Sequence, residues 1–182
     1  MSHRRADMFL EPDSDTRAEP PTRGGELDTL TGFLRWQRET FALKCSGLDA
    51  GQLARRAVEP STLSLLGLLR HLADVERGWF RVTLAGQDAP AHFVTGDDGE
   101  FTGALPDPGI VAEAWARWHA EVDFAERFVA EAPDLDAVGR TPDAWRGPMS
   151  LRWVLTHMIE EYARHNGHAD LLRERIDGRL GQ

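Results

Sequence analysis

The chain has 182 residues, 41% of them hydrophobic, with a formal net charge of −9 and a single cysteine. That length suits one domain with a substantial core. The acidic balance argues against a nucleic-acid partner, which needs a basic face for phosphates, one cysteine excludes an intramolecular disulfide, and no apolar stretch of about 20 residues offers itself to a membrane.

Residues 1–25 are charged, contain three prolines and few apolar groups, and read as a tail that is extended or disordered in isolation. Met8-Phe-Leu10 offers the one apolar patch there that could dock onto the domain or a second subunit. The basic N-terminus lacks the apolar h-region of a secretory signal, so the chain is expected in the cytoplasm. Residues 26–182 are expected to form one helical domain. Leu27, Leu30, Leu34, Phe41 and Cys45 mark a first helix by their spacing. Asp49-Ala-Gly-Gln-Leu53 suits one short helical turn after it. A second helix runs from about Ser61 to Leu84 and carries His71. The long connection from Gly86 to Pro106 holds Gly96-Asp-Asp-Gly99 and little that can pack except Phe93 and Phe101, and is expected to cover one end of the bundle. Asp107-Pro108 is a good N-cap followed by proline at the first helical position. The third helix then presents Val111, Trp115, Trp118, Val122, Ala125 and Val129. Ser150 caps a fourth helix that stops near Gly178. No alternating strand pattern competes, so the expected fold is all-α, a four-helix bundle with a long loop between helices 2 and 3.

The fourth helix is unusual. Leu151, Val154, Met158, Glu161, Tyr162, His165, Ala169 and Leu172 fall on one face, whereas Arg152, Glu160, Asp170 and Glu174 fall on the other. A carboxylate in the middle of an apolar face needs a partner. Glu161 and His165 are four apart, so one divalent ion can use both; a buried Glu–His or Glu–Arg network is the competing account. A third ligand must come from elsewhere, and His71, flanked on its own helix face by Ser64, Gly67, Leu68, Val75 and Gly78, is the best candidate. His157 or His168 could take that place instead. Two imidazoles and a carboxylate leave coordination positions open, as a catalytic site does. Asp74, one turn from His71, and His168 are candidates to orient the ligands. Cys45 reads as a small buried hydrophobe, and the tryptophans as core and rim packing.

His71 on one helix, with Glu161-x-x-x-His165-x-Gly167-His168-x-Asp170 on a later one, resembles the DinB superfamily. Further matching stretches are Gly32-Phe-Leu-Arg-Trp-Gln-Arg38, Pro60-Ser-Thr-Leu-Ser-Leu-Leu-Gly67 and Arg70-His-Leu-Ala-Asp-Val-Glu-Arg-Gly-Trp79. A fourth runs from Glu160 to Gly178, and the resemblance covers roughly residues 26–178. Within the superfamily the chain is similar to a small actinobacterial group, some of it labelled "mini-circle protein". Glu161 stands where many relatives have histidine, which matches the branch of the mycothiol-dependent maleylpyruvate isomerase.

The resemblance implies a DinB-type four-helix bundle holding one divalent metal through His71, Glu161 and His165. Zinc suits that set, and nickel, iron and manganese also accept it. It further implies a metal-dependent transferase that joins a low-molecular-weight thiol of the mycothiol type to a small electrophile. A non-catalytic metal-binding or stress protein and a metal-dependent hydrolase are the alternatives. The isomerase carries an additional C-terminal domain for which this chain leaves no room, so isomerisation itself is not expected. A small-molecule substrate is implied, and both a homodimer and a monomer are compatible with the composition.

Overall fold

Helix starts are written into the sequence as caps. Asp49 accepts the backbone N–H of Gln52, whose side chain bonds back to the Asp49 N–H, a complete capping box. Ser64, Asp107 and Ser150 each accept backbone N–H groups from the first turn of the helix they precede. The resulting elements are α1 (Glu26–Cys45), α2 (Ala50–Ala54), α3 (Leu65–Glu76), α4 (Gly99–Thr102), α5 (Pro108–Glu131) and α6 (Leu151–Asp177). A π-helical segment, Arg77–Leu84, continues α3. The computed structural model describes residue 10 and residues 14–93 and 99–181. Among these the fold is all-helical; the only strand-like features are two isolated bridges, Val138–Ser150 and Asp143–Gly147.

The second helix starts at Leu65 rather than near Ser61. Ser61 folds its hydroxyl back to accept from the Leu63 N–H, and Ser64 is the true cap. The π-helical continuation has no counterpart in the sequence reading, because apolar periodicity does not separate a slightly wider helix from an ordinary one. Gly178, at φ 80°, ends α6 in the left-handed conformation glycine tolerates.

α1 packs against α6, and α3 packs against both α5 and α6. α3 is buried nearly all round: Leu65, Leu66, Leu68, Leu69 and Leu72 are each at most 1% exposed. Burying a leucine side chain contributes about 1.5–3 kcal/mol, so α3 is the main apolar element of the bundle. Cys45 is buried, and burial pushes its thiol pKa up to about 12, which leaves it inert at neutral pH.

The expected faces hold with local exceptions. Leu27 is half-exposed, and Trp145, expected to pack, is 94% exposed. Asp170, placed on the outer face of the fourth helix by its register, lies 2.5 Å from the ammonium of Lys44, a side chain only 1% exposed. A long lysine of α1 reaches it; burial lowers the Lys44 pKa, and the pairing with Asp170 opposes that cost only in part.

One polar network crosses the apolar core. Arg38 of α1 donates two hydrogen bonds to Glu76 of α3, at 2.8 and 2.7 Å. Tyr162 of α6 donates to Glu76 Oε1 at 2.8 Å, and Trp118 of α5 donates to the Tyr162 oxygen at 2.8 Å. All four long helices are therefore joined at one level. Burial opposes the Arg38 charge, but Glu76 outweighs it and raises the guanidinium pKa.

Residues just before α1 lie against it. Arg17 donates to Thr40 at 2.6 Å and stacks its guanidinium 4.0 Å above the Trp36 ring. The docking expected of Met8-Phe-Leu10 lies outside the described residues except for Leu10, and residues 96–98 of the Gly96–Gly99 stretch lie outside them too. No described helix is long and apolar enough to cross a membrane.

Candidate metal centre

His71 projects from the last turns of α3, and Glu161 and His165 from consecutive turns of α6. Because α3 and α6 touch, the three side chains converge, with one ligand atom from each lying within 4.8 Å of the others. The His71 and His165 rings meet edge to face, centroids 4.7 Å apart. This cluster can hold a metal ion. His165 is 9% exposed as a residue, while the Glu161 and His71 side chains are 24% and 26% exposed. The centre is sheltered on one side and reachable from the other.

Electrostatics favour ligation. Burial lowers the His71 pKa, and the neighbouring His165 lowers it further, against the pull of Glu100 and Glu161. The imidazole is therefore neutral near pH 7, with a lone pair to give. Glu161 is held below the ordinary carboxylate value, first by its hydrogen bond to His165 and against the effect of burial. An ionised carboxylate beside imidazoles, borderline nitrogen donors with a hard oxygen, is a set that zinc and its neighbours accept.

Several further polar groups surround the three converging residues. Asp74 lines the same cleft as His71; its two oxygens accept the backbone N–H groups of His92 and Phe93, at 2.6 and 2.9 Å, and tie the connection after the π-helical segment to α3. The carboxylate opposite His71 Nδ1 is Glu100 of α4, at 3.5 Å. His168 lies where it can orient a ligand, with its Nδ1 3.3 Å from His165 Nδ1. His165 Nε2 faces Glu161 Oε2 at 3.4 Å. His157 is not among the three converging residues, yet its Nε2 is 3.4 Å from the other Glu161 oxygen. It lies against Trp79 and Trp153, with ring centroids 4.8 and 4.9 Å away.

Glu100 is the residue that the sequence reading missed. A faint signal exists in Gly99-Glu-Phe-Thr-Gly103, where one charge and one aromatic sit between glycines in a connection with little else to pack. A cleft of about 540 Å³ opens onto His71, bounded by Glu100, Trp79, Val82 and Thr83. It gives a small molecule access to the His71 side of the cluster.

A family model described as mycothiol S-transferase matches residues 29–178, a span that contains all three converging residues. The chain belongs to the mycothiol S-transferase family. This agrees with the DinB-like character of its motifs. Among solved structures, a conserved protein from Enterococcus faecalis superposes with a TM-score of 0.58 at 15% identity, covering 86% of this chain and 99% of that one. At that identity the likeness shows the fold alone. No curated protein matches.

Proposed function

We propose that this member of the mycothiol S-transferase family is a divalent-metal-dependent enzyme that joins a low-molecular-weight thiol, of the mycothiol type, to a small electrophile. The observation that carries the reading is the convergence of His71, Glu161 and His165 within 4.8 Å, with His71 lining an open cleft. A structural metal site is closed by protein ligands, usually four; three ligands beside a cleft match a site that keeps a position for substrate. A bound divalent cation, zinc being the best match to the donors, supplies positive charge that stabilises a thiolate near neutral pH.

The chain's own residues do the rest. Glu161 brings the negative charge, and burial keeps His71 unprotonated so that it donates a lone pair instead of repelling a cation. His168 restrains His165 by its contact at Nδ1. Trp79 forms part of the cleft wall and packs on Trp153, giving an apolar surface beside the polar cluster. In the reaction a carbon–sulfur bond forms as the thiolate displaces a leaving group, or opens an epoxide whose oxygen then takes a proton.

The test combines metal content with turnover. Wild type reconstituted with zinc should retain close to one equivalent, His71→Ala and Glu161→Ala should retain little, and only the loaded wild type should conjugate mycothiol to an alkyl halide or epoxide panel. A protein that takes up neither zinc nor nickel, iron or manganese overturns the reading, as does a loaded protein with no conjugation above the uncatalysed rate.

A further inference from the structure

We propose that Glu100 is the positioning residue of this centre, fixing His71 in the tautomer that presents Nε2 to the ion. The proposal deepens the metal-dependent reading and rests on it for its consequence, though not for its geometry.

A neutral imidazole carries one N–H and one lone pair, and the partner of one nitrogen decides which is which. His71 Nδ1 faces Glu100 Oε1 at 3.5 Å. A carboxylate there favours hydrogen on Nδ1 and leaves the Nε2 lone pair for the cluster. His165 reaches the same arrangement by another route, with Nδ1 against His168 and Nε2 towards Glu161. Asp74, the neighbour on α3 with the right chemistry, is already committed to two backbone N–H groups.

α4 is built to deliver this carboxylate. Four residues cannot sustain a helix by their own hydrogen bonds, so outside contacts must hold it. Arg70, adjacent to His71, donates to the carbonyl oxygens of Glu100 at 2.8 Å and Gly99 at 3.3 Å. Gly103 lets that guanidinium approach, since a Cβ there would stand 2.5 Å from an Arg70 nitrogen. Phe101 stacks on the His71 ring and fills the space over Gly67, where a Cβ would meet its ring at 2.6 Å. The same turn of α3 thus holds both the imidazole and the segment that faces it. The second oxygen of Glu100 is buried without a hydrogen-bond partner among the described residues. Keeping a carboxylate at such a place costs stability, and packing alone gives no reason for one.

The experiment has a metal-free and a metal-loaded half, using wild type, Glu100→Ala and Glu100→Gln of the full chain. In the metal-free protein at about pH 8, where an ordinary histidine is neutral, long-range proton–nitrogen NMR reads the tautomer of His71. Free histidine favours hydrogen on Nε2, so an Nδ1–H signal is diagnostic. Wild type should show it, Glu100→Ala should lose it, and Glu100→Gln should keep it, because the amide oxygen still accepts. In competition with a chromophoric chelator, zinc affinity should fall about 10–100-fold in Glu100→Ala, with Glu100→Gln recovering most of the loss. Unchanged tautomer and affinity in Glu100→Ala overturn the proposal. So does a Glu100→Gln variant as impaired as Glu100→Ala, which would make Glu100 a direct ligand. Should Glu100→Ala fail to fold, Glu100→Gln with its intact Nδ1–H signal sustains the proposal, and loss of that signal overturns it. A wild type that binds none of zinc, nickel, iron and manganese yet shows the Glu100-dependent tautomer refutes the metal-dependent reading and upholds the assignment of Glu100 as the residue that positions His71.

Discussion

Tyr162 donates its hydroxyl to Glu76 Oε1 at 2.8 Å while its chain neighbour Glu161 turns to the candidate metal centre. The core network and the centre thus share one turn of α6. Burial and then Glu76 raise the Tyr162 pKa well above its usual value, so the hydroxyl stays a donor.

Removing one member of that network should be expensive. Glu76→Ala leaves Arg38 buried without its partner, and breaking a buried pair costs about 3–5 kcal/mol. Tyr162→Phe removes only a hydroxyl and should cost about 1–3 kcal/mol through the unsatisfied groups left behind. Urea denaturation of each variant checks the order. A Glu76→Ala protein as stable as wild type would show that the network contributes nothing.

Metal binding should report on folding. A ligand present at 100 times its dissociation constant stabilises the native state by about 2.7 kcal/mol if it does not bind the unfolded chain. Thermal melts of wild type should therefore rise with added zinc and fall back with a chelator. His165→Ala should show no such rise.

The space over Gly67 gives a third expectation. Gly67→Ala drives a methyl group into the Phe101 ring, and overpacking of this kind costs about 1–3 kcal/mol. Relief by displacement of α4 would carry Glu100 away from His71. Zinc affinity measured by chelator competition should then drop although no ligand has been changed.

Acid sensitivity should trace in part to Glu121. Burial raises its pKa, but hydrogen bonds from Arg81, His92 and Arg77 together outweigh burial and hold it below 4.5. A carboxylate with a lowered folded-state pKa contributes stability that is present above its unfolded value and lost as pH falls through the folded one. Wild type should lose stability as pH drops below about 4.5. Glu121→Gln should start less stable at pH 7 and show a shallower fall, read from urea midpoints across that range.

Much of the fold was legible because it is local. Asp49, Ser64, Asp107 and Ser150 cap helices through side chains one turn away, and the leucines of α3 and the face of α6 follow the helical period. The converging residues were legible for a related reason. Glu161 and His165 break an apolar stripe, and His71 sits among small neighbours. What the sequence hid depends on distance along the chain. Glu100 reaches His71 only because Arg70 and Phe101 pin α4 in place. Asp74 looked like the natural partner by register, yet the returning backbone at His92 and Phe93 claims it. Asp170 lies on the outer face that its register gives, but register could not foresee that Lys44 reaches it.

The π-helical segment Arg77–Leu84 has a consequence for how this chain tolerates change. Arg77 and Arg81 meet the same carboxylate, Glu121, while Trp79 and Val82 line the cleft. An ordinary helix rotates about 100° per residue. Deleting a single residue here would swing everything that follows around the axis and part those arginines from Glu121. A one-residue deletion a few positions later, in the exposed connection at Gln87 and Asp88, would meet no such penalty. Length, rather than composition, is the quantity this stretch holds constant.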